Sequence, residues 1–453
     1  MNRPAEAPPA PVPPETGLIQ AGDIQARWAW VEPSVWTRRM LTALENGVKG
    51  GVWFSLIDKV HRMENLRAAL RKVAANGGAP GADHITVAWF AEHQEEELAR
   101  LQAELREDRY SPRVARRAWL PKPGSTEKRP LAIPAVRDRV VEAAVTQVLE
   151  PIFEREFAAC SYGFRPNRGA KDALREVDQL LRAGFLLVVD ADFRRCFDTI
   201  PWAPLMACVR ERVADGRVLR LVEQFLQRGV MEQGEVVKPD EGTPQGGVIS
   251  PLLANIYLNA LDHRLLRHGL RLIRYADDLV ILCRTQAEAE GALADLRSWT
   301  VAAGLTLHPE KTRLVDMRQP GAGFDFLGYH FERTGRKGRL SRWPRSKSLR
   351  KFKTAIRART RSRHGHSLEQ IIGSVNAVCR GWFAYFKHSN VWTFPPLDQF
   401  IRRRLRTILR RRRKRHHVAR GLDHQRWPNS FFAAHGLFSL TAAHATARQS
   451  ATR

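Results

Sequence analysis

Long apolar runs, paired cysteines and a signal segment are all missing from this sequence of 453 residues. Its longest apolar runs are short, such as residues 185–189 and 279–283, whereas about 20 apolar residues are needed to cross a bilayer. The five cysteines form no C-x-x-C pair, which argues against a disulfide framework and against a Cys-rich zinc module. The N-terminus is rich in Pro and Ala and has no charged-then-apolar signal segment. These absences predict a soluble, cytoplasmic protein of a bacterial intracellular type.

Acidic residues are almost absent from residues 341–420. This segment holds 23 Lys or Arg but only two acids, Glu369 and Asp398, and the whole chain has a net charge of +27. Cations at this density repel one another unless a polyanion neutralises them. Interleaved aromatic side chains such as Trp343 and Trp392 could stack on bases. We therefore expect this segment to bind nucleic acid with a salt-dependent affinity. A solvated basic face or a localisation signal is the alternative.

The 43% share of hydrophobic residues is ordinary for a globular protein, and the length predicts roughly two to four domains. Apolar periodicity and breakers predict helices over residues 35–75, 86–107, 137–157, 250–269 and 286–303, and strands over 114–120, 129–134, 185–189, 272–283 (a hairpin) and 311–316. Helices are expected to dominate after residue 333. Within them, Ile371, Val375, Val378, Trp382 and Tyr385 recur at helical spacing, which predicts a buried stripe.

Acidic residues end two of the apolar strands. Tyr275-Ala-Asp-Asp278 would form the tip of a hairpin, where adjacent carboxylates repel each other. A bound divalent cation would relieve this repulsion, and Asp oxygens are ligands that Mg²⁺ prefers. Upstream, Asp190 and Asp192 share one face of a strand, so either could point at the hairpin. Three carboxylates around two cations would suit phosphoryl transfer.

Several segments resemble the conserved blocks of reverse transcriptases. Tyr275-Ala-Asp-Asp278 resembles their signature box, and Asp192-Phe-Arg-Arg-Cys-Phe-Asp198 resembles their first catalytic block. Gly242-Thr-Pro-Gln-Gly-Gly-Val-Ile-Ser-Pro251 is similar to the loop and helix that support the incoming nucleotide and template. The resemblance implies that Asp192, Asp277 and Asp278 are catalytic and hold two Mg²⁺ ions, with Mn²⁺ as a possible substitute. It also implies that Phe197 crowds a ribose 2′-hydroxyl, although simple core packing is an alternative and both can hold.

From about residue 50 to its end, the chain resembles the group II intron-encoded reverse transcriptase/maturases. The resemblance implies an α+β right-hand polymerase fold, in which fingers and a palm with antiparallel sheet precede an α-helical thumb, called domain X, and a small basic C-terminal region. It is carried by Ser55-Leu-Ile-Asp-Lys-Val60, Leu120-Pro-Lys-Pro-Gly124, Arg129-Pro-Leu-Ala-Ile-Pro134, Ser161-Tyr-Gly-Phe-Arg-Pro-Asn-Arg168, His308-Pro-Glu-Lys-Thr312, Phe326-Leu-Gly-Tyr329, Gly381-Trp-Phe-Ala-Tyr-Phe386, Trp427-Pro-Asn-Ser-Phe-Phe432 and Gly436-Leu-Phe-Ser-Leu440.

The same resemblance implies the division of the chain and the roles of further residues. The expected regions are a disordered tail (1–34), an N-terminal extension (35–82), fingers and palm (83–333), the thumb (334–400) and a basic, DNA-binding-like C-terminal region (401–453). Lys122 and Arg129 would close over nucleotide phosphates, unless they belong to a solvated hairpin. Gln245 would contact the nucleotide or base pair, unless it is a helix cap. Arg165 and Arg168 would hold template phosphates, and the role of Lys311 is open. The expected RNA- and DNA-binding run is Arg410, Arg411, Arg412, Arg413, Lys414 and Arg415, to which His416 and His417 would add.

The expected function is that of an RNA-directed DNA polymerase, a nucleotidyltransferase. It would bind its group II intron RNA, assist splicing, and copy the intron into cDNA during retrohoming. Its partners would be the intron RNA, target DNA, a primer and dNTPs, with no membrane, and it would be nucleoid-associated when bound to DNA. Because no cysteine follows Cys379, no C-terminal HNH nuclease is expected, and priming would need a nick or another primer. The alternatives are a domesticated reverse transcriptase in phage defence or DNA repair, and a non-enzymatic RNA-binding splicing factor.

Overall fold

The computed structural model describes residues 21–121, 128–335, 338–361, 365–413 and 421–450. The helices are α1 (Ala21–Arg27), α2 (Arg38–Asn46), α3 (Ile57–Val60), α4 (Met63–Asn76), α5 (Val87–Glu92), α6 (Gln94–Arg106), α7 (Val136–Glu154), α8 (Ala170–Arg182), α9 (Cys196–Thr199), α10 (Trp202–Arg210), α11 (Gly216–Gln227), α12 (Ser250–Arg267), α13 (Gln286–Ala302), α14 (Ser346–Arg359), α15 (Leu368–Phe386), α16 (Phe394–Arg412), α17 (Asp423–Arg426), α18 (Asn429–Ala434) and α19 (Leu440–Ser450). The strands are β1 (Ala115–Pro121), β2 (Lys128–Ile133), β3 (Leu187–Asp192), β4 (Val230–Glu232), β5 (Glu235–Val237), β6 (Arg271–Tyr275), β7 (Asp278–Cys283), β8 (Arg313–Asp316), β9 (Gly323–Phe326), β10 (Tyr329–Thr334) and β11 (Arg339–Pro344).

The central sheet has the strand order β6-β7-β3-β8 and is antiparallel throughout. Its two faces belong to different hydrophobic cores, because neighbouring residues of a strand point to opposite sides. Val189 and Ile281 pack with residues of α12 and α13 on one side. Val188 and Val280 pack with residues of α8 on the other. Coverage of both faces explains why these strands are continuously apolar in the sequence.

The structure has two further, smaller sheets. The first has the order β2-β1-β4-β5, and its β1–β2 hairpin is the predicted basic hairpin. The second has the order β11-β10-β9 and continues to Pro344. Helices dominate the described residues after β11, as predicted, but β11 itself was not predicted. Its alternation of arginines with Leu340 and Trp343 gives only a weak strand signal.

The N-terminal region is more broken, and begins earlier, than the sequence predicts. The expected helix over 35–75 is divided into α2, α3 and α4, and the helix over 86–107 is divided at His93 into α5 and α6. The disordered tail was expected to reach residue 34, yet α1 begins at Ala21, and Trp28 is buried. Trp28 also donates a hydrogen bond to Glu45 at 2.6 Å, which ties this segment to α2.

The C-terminal helices share one core. Buried residues of α14, α15, α16, α18 and the start of α19 form a single cluster. Of the predicted apolar stripe of α15, Ile371 and Val375 are buried in this cluster, Val378 and Trp382 pack partly against it, and Tyr385 packs partly against the core on the α8 side of the central sheet. Helix α16 runs without a break across the boundary that was expected at residue 400. The buried Asp398 of this helix accepts hydrogen bonds from the backbone of Leu440 and Thr441, both at 3.0 Å. The thumb and the basic C-terminal region are therefore one packed unit. No described helix combines the length and apolarity that a bilayer crossing requires.

Candidate active site and nucleic-acid interface

The acidic hairpin lies at the end of the central sheet. Strands β6 and β7 are joined by Ala276 and Asp277, and Ala276 has a positive φ of 58°. Asp278 is the direct cross-strand partner of Asp192 on β3. Asp190 instead lies opposite Val280, and its carboxylate pairs with Arg313 on β8 at 3.2 Å. Of the two upstream acids, the register therefore favours Asp192 as the one that works with the hairpin.

Burial and mutual repulsion perturb the acids of this site. Burial raises the pKa of Asp278 to about 7, and the charges of Asp190, Asp192 and Asp277 add to the rise. Burial also raises the pKa of Asp277, with a further contribution from Asp192. Nearby cations oppose this effect on Asp277, and they include Arg129 of the β1–β2 hairpin.

Lys311, whose role the sequence left open, donates a hydrogen bond to the carboxylate of Asp192. Its side chain is 58% exposed, so the ammonium group reaches the site from solvent. It lies three residues after His308, whose amide donates a 2.7 Å hydrogen bond to the Asp192 carbonyl at the end of β3. Lys311 is therefore a cation held at the acidic centre.

The chemistry of the acids suits a hard divalent cation. Asp192, Asp277 and Asp278 are partly buried carboxylates at one end of the sheet, where burial, together with repulsion between them, raises the pKa of Asp277 and Asp278. A cation would remove this repulsion, and carboxylate oxygens are its usual ligands. Within the described part of the chain, no three His, Cys, Asp or Glu side chains are already gathered as ligands of one ion. The three Asp residues are the ones that would hold Mg²⁺.

A buried polar network supports the hairpin from below. Arg274, the residue before Tyr275, is fully buried and forms a two-pronged ion pair with Asp262 of α12, at 2.5 and 2.7 Å. Its guanidinium also donates to Asn255 at 2.9 Å and to the carbonyl of Ala276 at 3.0 Å. Sequence reasoning missed this network. Its signal was an arginine that follows the apolar pair Leu272 and Ile273 within the strand.

The segment that contains Gly163 and Phe164 passes directly over the hairpin tip. A Cβ atom on Gly163 would lie only 2.3 Å from the Ala276 nitrogen, so no larger residue fits there. The next residue, Phe164, has a φ of 55° and is 53% exposed. Its ring lies between those of Phe197 and Tyr275, with centroids 6.5 and 6.4 Å away. Phe164 was not singled out from the sequence, although its box was.

Hydrogen bonds join the segment of Phe197 to the segment of Gln245. Phe197 is in α9, and its carbonyl accepts a 2.6 Å hydrogen bond from the Thr243 amide. The Gln245 side chain donates to Asp198 at 3.0 Å, and its carbonyl accepts from the Ala132 amide of β2 at 2.8 Å. Phe197 also packs partly against the large core, so its packing role is present whatever else it does.

The basic fingers hairpin is described only in part. Arg129 is exposed on β2, opposite Leu120, and its charge reaches Asp277. Lys122 lies outside the described residues.

The predicted template contact of Arg165 is wrong. Its side chain is only 3% exposed and pairs with Glu154 at 2.7 Å. It also donates to the carbonyl oxygens of Ala158 and Ser161, at 2.6 and 2.9 Å. The guanidinium therefore fastens its own loop and does not reach solvent. Arg168 is partly exposed, lies over the Tyr162 ring and donates to the Ala159 carbonyl at 2.7 Å, so its phosphate contact stays a prediction.

The arginine run begins at the end of α16. Arg410 pairs with Asp423 at 2.6 Å and is only partly exposed, so it serves the packing of α17. Arg411, Arg412 and Arg413 are exposed. Lys414, Arg415, His416 and His417 lie outside the described residues.

Comparison with known proteins gives two family matches along the chain. Residues 120–331 match the reverse transcriptase (RNA-dependent DNA polymerase) family, and residues 349–427 match the group II intron, maturase-specific domain. Protein YkfC of Escherichia coli is 32% identical over 351 residues, which are 68% of this chain and 86% of that protein. The group II intron-encoded protein LtrA of Lactococcus lactis is 34% identical over 41% of this chain, a match that spans less than a third (31%) of its own length. A telomerase structure from Candida albicans aligns at a TM-score of 0.42 with 13% identity, over 71% of this chain and 64% of that one, a likeness too weak to argue from.

Proposed function

Because the chain belongs to the group II intron-encoded reverse transcriptases with a maturase domain, we propose that Asp192, Asp277 and Asp278 form its polymerase centre. The enzyme is an RNA-directed DNA polymerase that also serves intron splicing. The main support for the proposed centre is the cross-strand pair of Asp192 and Asp278, with a pKa of about 7 at Asp278. Like charges this close disfavour ionisation of each other, and a bound Mg²⁺ would add to Lys311 in relieving that repulsion.

The surrounding residues would position the substrates. Bound Mg²⁺ would activate the primer 3′-hydroxyl and stabilise the leaving pyrophosphate. Arg129 would clamp the triphosphate, because a guanidinium can form paired hydrogen bonds with phosphate oxygens. Phe197 would lie against the sugar, and Gln245, held by Asp198, would lie against the base pair. Phe164 would support the same base pair from the side of Tyr275.

The maturase domain indicates which nucleic acids the protein binds. We propose that the protein binds the RNA of its own group II intron and copies it into cDNA during retrohoming, with target DNA supplying the primer. The intron RNA would perform the splicing reaction, while the basic thumb surface stabilises the folded RNA. Arg404 is partly exposed and adds to the charge of this surface, because it donates to the hydroxyl and the carbonyl of Thr360, which are neutral acceptors.

Primer extension tests the polymerase centre. The assay uses an RNA template with an annealed DNA primer, dNTPs and Mg²⁺, with wild type beside Asp277→Ala and Asp190→Asn. We expect extension by the wild type, none by Asp277→Ala, and near wild-type extension by Asp190→Asn, since Asp190 faces Arg313. Equal loss in both variants would contradict the choice of Asp192 over Asp190 as the third acid. Extension by Asp277→Ala would contradict the proposed centre.

A further inference from the structure

A basic cavity of about 930 Å³ lies away from the polymerase centre. It is enclosed by the end of α8, the β10–β11 hairpin, the segment between α15 and α16, and α19. None of the acids of the polymerase centre lines it. Its lining cations are Arg182, Arg339, Arg342, Lys387 and Arg448.

Hydrogen bonds and ion pairs fix the floor of this cavity. Asp178 pairs with Arg182 at 2.7 Å and with Arg342 at 3.4 Å, which joins α8 to β11. Arg342 also donates to the His388 carbonyl at 3.1 Å, and its own carbonyl accepts from the Asn390 amide at 2.8 Å. The segment between α15 and α16 is thereby fastened to the sheet. The cavity is therefore formed before any ligand binds.

The charge of the cavity is strongly positive. Its lining contains five Lys or Arg but one acid, Asp178, which is already shared between two arginines. Lys171 and Arg175 are exposed on α8, one turn apart, and Arg182 follows on the same stripe two turns later. Lys171 and Arg175 are close enough to act electrostatically on His388. Acidic side chains lie among these cations, and Arg175 pairs with Asp172 at 3.0 Å, so the positive charge of the cavity is that of its own lining.

A large aromatic ring stands at the rim. Trp392 is 78% exposed, although burial of such a side chain is favourable. Its backbone is held in place, because the Trp392 amide donates to the Asn390 side chain at 3.2 Å. A fixed, exposed indole beside a ring of cations offers a stacking surface for a base, next to donors for phosphates.

We propose that this cavity binds a single-stranded segment of RNA, with one base stacked on Trp392 and its phosphates against Arg339 and Lys387. The proposal rests on the proposed function, since Lys387 and Trp392 lie within the maturase-specific region. Charge complementarity selects a polyanion over a protein partner. Stacking on Trp392 selects unpaired bases, because the bases of a duplex already stack on one another.

Binding of a labelled 12-nucleotide oligo(U) tests the proposal by fluorescence anisotropy over a range of salt concentrations. We expect Trp392→Ala to weaken binding about 5- to 100-fold, the usual loss for one stacked base. Arg339→Gln with Lys387→Gln should lower the salt slope by about 0.7 for each lost phosphate contact. All variants are also made in a background with Arg411, Arg412 and Arg413 changed to Gln, so that the second basic surface cannot mask the effect.

The matched control is Trp89→Ala. Trp89 is 40% exposed on α5, stacks on His93 and does not line the cavity, so its loss should leave oligo(U) affinity unchanged. Equal affinity of wild type and Trp392→Ala would overturn the proposal. An oligo(dT) of the same length that binds as tightly, with the same dependence on Trp392, would overturn the choice of RNA.

Primer extension by the wild type is run in parallel. Absence of extension beside Trp392-dependent oligo(U) binding would contradict the polymerase centre and support the cavity. Extension beside oligo(U) binding that ignores Trp392 would do the reverse. The two proposals therefore fail separately.

Discussion

The palm hairpin and the basic helix α16 differ in how their charges are arranged. In the palm, the buried Arg274 is neutralised by Asp262, at 2.5 Å, and it also donates to the Ala276 carbonyl at the hairpin tip, at 3.0 Å. In the thumb, the partly exposed Arg404 donates to the hydroxyl and the carbonyl of Thr360, which are neutral acceptors, and the charges that act on it are those of other arginines. In the palm, a few charged residues fix the geometry of one site. In the thumb, many positive charges lie along a surface.

This difference predicts different responses to substitution. A charge that interacts at one fixed place is irreplaceable, because its neighbours are arranged around it. Charges that neutralise a polyanion act additively through counterion release, so each contributes a small share. Single substitutions should therefore be severe in the palm and mild on the thumb surface.

Asp277→Ala should have the largest effect. It removes a carboxylate of the polymerase centre, so extension should fall by a factor of about 1000 or more, as for loss of a central electrostatic group. The affinity for intron RNA and the rate of assisted splicing should stay within about twofold, because the thumb surface is untouched. Extension, filter binding and a splicing assay on one preparation measure the three quantities. A parallel fall in all three would show that palm and thumb do not act separately.

Arg274→Met should destabilise the palm. It leaves the Asp262 carboxylate buried without a partner, which typically costs about 3–5 kcal/mol in free energy of unfolding. Extension should fall as well, because the Ala276 carbonyl at the hairpin tip loses its donor. Urea unfolding, together with extension well below the midpoint, separates the two effects.

The control for Arg274 is Arg271→Met. Arg271 lies on the same strand but is exposed, so its replacement should change the free energy of unfolding by less than about 0.5 kcal/mol. Adding Asp262→Leu to Arg274→Met should recover part of the lost stability, since no unpaired charge then remains. If the double variant is less stable than Arg274→Met, the network has a role beyond charge pairing.

Much of the palm could be predicted from sequence, because its elements are local patterns. The apolar runs of β3 and β7, the breaker at the hairpin and the helical periods of α12 and α13 are patterns of this kind. Each is made by residues that are close together in the sequence. The register of Asp192 opposite Asp278 could not be predicted, since it depends on how two distant strands align. The buried state of Arg165 was missed because its partner Glu154 lies at the end of α7, outside the loop that holds Arg165.

The thumb was harder to divide than the palm. Composition changes sharply near residue 400, yet α16 continues through it, because its apolar residues Leu397, Ile401 and Leu405 keep their helical spacing beneath the arginines. Charge marks the surface of this helix, and the spacing of its apolar residues marks the fold. The boundary expected at residue 400 coincides with the rise in positive charge and not with a break in the helix.

Phe197→Ala should have an intermediate effect that belongs to the palm. Removing the ring would open space beside the sugar, so incorporation of NTPs relative to dNTPs should rise by a factor of roughly 10 or more. Competition between UTP and dTTP on one template measures this ratio. Phe164→Ala is the matched control, because its ring touches Phe197 but belongs to the segment over the hairpin. We expect slower extension there with an unchanged ratio, and a similar rise in both variants would assign the selectivity to the aromatic cluster as a whole.

The smallest effects belong to the exposed arginines at the end of α16. Each single change of Arg411, Arg412 or Arg413 to Gln should lower RNA affinity only about two- to threefold near physiological salt, whereas the triple change should lower the salt slope by about 2. Arg410 is left intact, because its pairing with Asp423 supports the fold. Filter binding from low to high salt gives the slope. An unchanged slope in the triple variant would show that these arginines do not face the RNA. If one single variant instead loses most of the affinity, that arginine makes a specific contact with the RNA, as the charged residues of the palm do with their neighbours. Additive counterion release cannot explain so large a loss from one residue.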